Sequence, residues 1–136
     1  MTYESLIKNE EIRIYITKAD ESLSKLGYTE HCFAHVCKVA ETSGKILRTL
    51  GYSEHDVEIS KIAGYLHDIG NLVNRVDHSQ SGAVMAFRIL REYGMDAEKR
   101  AIYSDIKEIN TVALMMREEC SITEAAEMLE EDKSND

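Results

Sequence analysis

The sequence contains no proline and no tryptophan, and only seven of its 136 residues are glycine. With Ala, Leu, Glu, Lys and Ile abundant, that shortage of helix breakers favours long helices. Three cysteines, Cys32, Cys37 and Cys120, are too few and too irregular for a disulfide scaffold. A reducing cytosol is the expected setting, so the protein is expected to be cytoplasmic. Positive charge is also short. Lys and Arg number 16 against 25 acids, a formal net charge of −9. A duplex nucleic acid needs a basic surface to displace its counterions, so no such partner is expected. No apolar run approaches the length that spans a bilayer, and Met1-Thr2-Tyr3-Glu4-Ser5 lacks the basic-then-apolar order of a signal peptide. No membrane association is therefore expected.

What is present suits one domain over residues 1–136, with 43 % apolar residues and enough length to bury a core unaided. Ile12, Ile14, Tyr15, Ile16, Ala19, Leu23 and Leu26 recur at helical spacing, which predicts helix over 3–26 in two pieces, closed by Gly27. Thr29 is placed to cap a helix ending near Leu50 and Gly51, and Ser53 with Asp56 resembles a weak capping box for the next. That helix carries Val57, Ile59, Ile62, Ala63 and Leu66 up to His67 and Asp68, and Gly70 is expected to end it. A loop over 71–77 leads to a helix from about His78 through Val84, Met85, Phe87, Ile89 and Leu90 to Tyr93, stopped by Gly94. Asp96 is placed to cap a sixth over about 97–117, and Ser121-Ile122-Thr123-Glu124 is a capping box for a short last helix. Residues 117–136 carry eight acids against Arg117 and Lys133, the pattern of a solvated helix with an acidic tail. No strand or hairpin signal occurs. The expected fold is all-α, with six or seven helices.

The pair His67-Asp68 stands out. An apolar run that should be buried ends in an imidazole and a carboxylate, and buried polar groups need partners or a cation. His35 and His78 lie on other predicted helices, 32 and 11 residues from the pair's histidine. Any shared site is therefore built by tertiary packing, as metal sites in helical bundles are. Imidazole with carboxylate suits Fe, Mn, Zn or Ni better than Ca. Such a centre attracts phosphate and ionises bound water near neutral pH. A single histidine on a helix is more often an ordinary core or surface residue, and His31 and His55 are read that way. His31, Cys32, His35 and Cys37 do not form a zinc site on one helix, because Cys32 and Cys37 point about 140° apart. There is no glycine-rich phosphate loop, Cys-x-x-Cys pair or His-Glu-x-x-His.

These stretches resemble the HD superfamily of metal-dependent phosphohydrolases. The resemblance lies in His35-Val36-Cys37-Lys38-Val39-Ala40, Leu66-His67-Asp68-Ile69-Gly70 and His78-Ser79-Gln80-Ser81-Gly82-Ala83, in that order. It is closest to small single-domain bacterial HD proteins and covers roughly residues 28–96, leaving 97–136 divergent or truncated. It implies that His35, His67 and Asp68 hold a first metal. Asp68 would bridge to a second, which His78 would help bind, with Asp68 and His78 as catalytic residues. The family's usual lysine after Ile-Gly is Asn71 here, with Arg75 or Lys38 as substitutes. The family's later Asn-His-Asp/Glu segment has no counterpart, since the corresponding region, residues 105–110, has no histidine. Its closing aspartate falls on Asp132 in Glu131-Asp132-Lys133, with Asp105 as the competing candidate. The implied activity is hydrolysis of a small phosphorylated molecule by a metal-bound hydroxide, using one or two divalent ions. The alternative is a degenerate HD module that binds metal or nucleotide without turnover. Self-association as a homodimer is left open.

Overall fold

The computed structural model describes residues 2–27 and 33–97. Five α-helices and one short 3-10 helix follow one another: α1 Tyr3–Ile7, α2 Glu10–Lys25, α3 Phe33–Thr49, α4 Glu54–Leu66, the 3-10 helix Ile69–Leu72, and α5 His78–Glu92. No strand occurs among the described residues, so the all-α expectation holds. The Thr29 cap, the sixth helix over 97–117 and the capping box at Ser121 lie outside the described residues.

Caps set the boundaries. The side chain of Thr2 accepts from Ser5 N at 3.1 Å and starts α1. Asn9 Oδ1 accepts from Ile12 N at 3.1 Å and starts α2, which is why the predicted 3–26 segment is two helices. Ser53 Oγ accepts from Asp56 N at 3.1 Å and donates to the Asp56 carboxylate at 2.7 Å. Such a cap is worth about 1 kcal/mol. Gly27, Gly51 and Gly94 all lie at positive φ just past helix ends, where a side chain would be strained.

The turn at Gly51 folds α3 and α4 into an antiparallel hairpin. Ser43 donates to the Ser60 carbonyl at 3.1 Å. A Cβ on Gly64 would lie 2.9 Å from Ala40 Cα, so the two helices cross almost backbone to backbone. Tyr3 and Leu6 of α1, Ile12 and Ile16 of α2, and Ala86, Ile89 and Leu90 of α5 close a core around Ile62, Tyr65, Leu66 and Ile69. Four residues of the predicted apolar faces turn outward. Ile14, Leu26, Val84 and Phe87 are exposed. The buried set of α2 is Ile12, Ile16, Ala19 and Leu23, and that of α5 is Gly82, Ala86, Ile89 and Leu90. Spacings of three and four leave the other apolar residues on the outer face.

Gly70 does not stop α4. That helix ends earlier, at Leu66 with His67 as its C-cap, and Gly70 sits inside the buried 3-10 helix. The reason is space. A Cβ there would lie 1.9 Å from the His78 carbonyl oxygen and 2.5 Å from Gly82 N. The start of α5 thus rests directly on the 3-10 helix. This contact carries His78 to the end of the hairpin.

Candidate metal centre

The α3–α4 hairpin brings the first turn of α3 beside the C-terminal end of α4, so His35 faces His67 with ring centres 5.4 Å apart. Asp68 follows at the junction, and α5 starts on it with His78. His67 Nε2 lies 3.1 Å and His35 Nε2 3.4 Å from Asp68 Oδ2, while His78 Nε2 lies 3.5 Å from Oδ1. Three imidazoles from different helices or helix ends therefore meet at one carboxylate. His67 and Asp68 are buried, and the His35 and His78 side chains are mostly so.

Backbone carbonyls fix two of the rings. His67 Nδ1 lies 2.6 Å from the Gly64 carbonyl oxygen, and His78 Nδ1 lies 3.1 Å from that of Arg75. A carbonyl only accepts, so each Nδ1 carries the proton. The Gly64 bond also satisfies one of the carbonyls left over at the end of α4. In a neutral imidazole, Nε2 then presents a lone pair, and it presents it to a carboxylate that likewise only accepts. Two acceptors 3.1 Å apart repel unless positive charge lies between them, either a second ring proton or a cation. Metal-bound histidines are oriented in this way, with the remote nitrogen donating to a carbonyl or carboxylate.

Burial pushes the Asp68 carboxyl up, but the three imidazoles gathered on it, His35, His67 and His78, outweigh burial and hold the group well below the usual carboxylate range, so Asp68 is an anion at neutral pH. The spacing suits a cation. His67 Nε2 and His35 Nε2 lie 3.1 and 3.4 Å from Asp68 Oδ2, and the three ligand atoms form one cluster. Metal–ligand bonds of roughly 2.0–2.2 Å put neighbouring ligand atoms about 3.0–3.5 Å apart in octahedral or tetrahedral shells. The donor set fits a divalent transition metal. His35 and His67 address one carboxylate oxygen and His78 the other.

A crevice of about 10 Å³ runs beside Asp68, walled by Ile16, Ala19, Asp20 and Leu23 of α2 together with Val36, Tyr65 and Ile69. It has room for about one water molecule. The wall from α2 keeps bulk solvent off that side of the carboxylate.

The four described candidates, His35, His67, Asp68 and His78, come together. Asp132 and Asp105 lie outside the described residues, as do His31 and Cys32. His55 is exposed at the start of α4 and stands apart from the cluster. Lys38 is exposed, whereas Arg75 is partly buried. Cys37 is a free, half-buried thiol beside Tyr3. The sequence reading missed Asn71. Its sequence context points to a loop and to the site of a lost lysine, but it is buried and donates to the Asp68 carbonyl at 2.9 Å. The signal was its position three residues after Asp68, within reach of one helical turn.

The HD domain family model matches residues 32–134. An uncharacterized protein of Methanocaldococcus jannaschii is 30 % identical over 105 residues, covering 66 % of this chain and 40 % of that protein. A second uncharacterized protein from the same organism is 36 % identical over 86 residues, 62 % of this chain and 47 % of its own length. The chain thus spans less than half the length of these curated relatives. No solved structure matches it.

Proposed function

The chain belongs to the HD domain family, and we propose that it is a metal-dependent phosphohydrolase acting on a small phosphorylated molecule. One observation carries the reading: imidazole rings fixed by backbone carbonyls turn their Nε2 atoms to one buried carboxylate, an arrangement that a bound cation satisfies. Fe, Mn, Zn or Ni fits that donor set. When bound, such an ion supplies a water that ionises near neutral pH and positive charge for a phosphoryl oxygen.

The protein's own part is placement. His35, His67 and Asp68 Oδ2 form the first ligand group. The Gly64 carbonyl keeps the His67 ring from turning away. His78, on the Oδ1 side, serves a second ion through Nε2 or, with both ring nitrogens carrying protons, donates to a phosphoryl oxygen. Asp68 joins the two sides. Asp132 is proposed, from its Glu-Asp-Lys setting alone, as the closing carboxylate. The α2 wall limits water on one side, which strengthens the electrostatics within. The cytosol is the proposed setting, in keeping with a free thiol at Cys37.

A second reading has one observation in its favour. No histidine follows His78 in the sequence, so a module that binds metal without turnover is the alternative. The test is metal content of the purified protein by plasma mass spectrometry, with hydrolysis of a panel of phosphomonoesters and dinucleotide polyphosphates under Fe, Mn, Zn or Ni. We expect metal and hydrolysis in the parent, with both lost in His67→Ala and Asp68→Ala. Metal uptake without turnover would favour the binding module. Equal turnover in His67→Ala would reject the proposed site.

A further inference from the structure

We propose that Arg75 is the phosphate-binding residue of this site and that Asn71 is its positioning residue. The proposal rests on the phosphohydrolase reading for its substrate but not for its geometry. Asn71 is 3 % exposed and works in two directions. Its Nδ2 donates to the Asp68 carbonyl at 2.9 Å, and its Oδ1 accepts from Arg75 Nη1 at 3.3 Å. The Arg75 carbonyl in turn receives His78 Nδ1 at 3.1 Å. The guanidinium is therefore tied, through one amide, to the backbone of the central carboxylate, and the same residue orients the imidazole beyond it.

Charge points the same way. A phosphate dianion entering a chain of net charge −9 needs local positive charge. The α2 side of Asp68 carries Asp20, which repels it. Arg75, joined to the Asp68 backbone through Asn71, is a permanent cation whose planar fork suits two phosphate oxygens at once. The bond to Asn71 sets the plane of the group. Arg75 is partly buried, which strengthens its pull on an anion relative to a solvated lysine.

The test is calorimetric binding of inorganic phosphate to the purified protein, with metal content measured on the same samples. Arg75→Ala should weaken phosphate binding by roughly tenfold to a hundredfold with unchanged metal content, since the carbonyl that holds His78 remains. Millimolar guanidinium should restore part of the loss. Arg75→Lys should recover less than half of it on a logarithmic scale, because a point charge does not reproduce the fork. Asn71→Ala should weaken binding by several fold without guanidinium rescue, its Arg75 being present but unaligned. If the parent hydrolyses phosphoesters, the Arg75→Ala defect should lie mainly in KM. Unchanged phosphate affinity in Arg75→Ala, or metal loss parallel to phosphate loss, overturns the proposal even in an active enzyme. A parent that binds phosphate through Arg75 yet hydrolyses nothing supports it while removing the phosphohydrolase reading.

Discussion

Gly70→Ala is the sharpest test of how the site is assembled. The new Cβ would lie 1.9 Å from the His78 carbonyl oxygen, 2.5 Å from Gly82 N and 2.9 Å from the His78 carbonyl carbon. All three are backbone atoms, so no side chain can rotate aside. Ordinary contact between such atoms is about 3.4 Å, which requires the first turn of α5 to retreat by roughly 1.5 Å. His78 Nε2, now 3.5 Å from Asp68 Oδ1, would then lie about 5 Å away. Overpacking typically costs about 1–3 kcal/mol, and the rigid obstruction puts this case near 3. At roughly 2–4 °C per kcal/mol for a domain of this size, the melting temperature should fall by about 6–12 °C. The His35, His67 and Asp68 group belongs to the hairpin and its end, so it should keep its ion. Thermal unfolding by circular dichroism and metal analysis read both effects. Gly82→Ala is the control. Its Cβ would approach no closer than 3.3 Å, and its better helix propensity offsets the squeeze, so it should be nearly neutral. A Gly70→Ala protein that melts within about 2 °C of the parent and keeps all its metal would refute the reasoning.

Two further outcomes are expected. His35→Ala should abolish uptake of the first ion, whereas His78→Ala should keep one ion and lose only the second. Dialysis against limiting metal followed by stoichiometry separates these, and identical losses would contradict a bridging Asp68. Tyr65→Phe should be neutral or slightly stabilising at pH 8. The Tyr65 side chain is 1 % exposed, and its hydroxyl has no hydrogen-bond partner among the described residues. Burial pushes this phenol up to about 12. A folded value above the unfolded one near 10 means stability present below pH 10 and lost as pH rises towards 12. Urea denaturation across that window should show the parent declining more steeply than the variant, and parallel curves would count against a buried, protonated phenol.

Much of this protein is legible along the chain. Helix type follows from the period of apolar residues and the absence of proline. Boundaries follow from local caps such as Ser53, whose bond to Asp56 spans only three residues. The doublet His67-Asp68 announces itself because a charged pair ends an apolar run. Local signals failed where the cause was distant. Gly70 resembled a helix stop, yet its lack of a side chain serves α5, which begins eight residues later. Asn71 resembled a gap in a motif, yet it is buried where Asp68 and Arg75 need an amide between them. Val84 and Phe87 resembled core, yet packing chose the neighbouring face of α5.

By itself the sequence determined the helices, their caps and the supply of three imidazoles and one carboxylate, because those depend on residue type and short-range spacing. Only the tertiary structure decided that the four side chains meet. Their convergence needs the Gly64–Ala40 crossing, the Gly70–His78 contact and two backbone carbonyls aimed at ring nitrogens. Close approach and direction are properties of packed backbones in three dimensions, and no one-dimensional pattern encodes them.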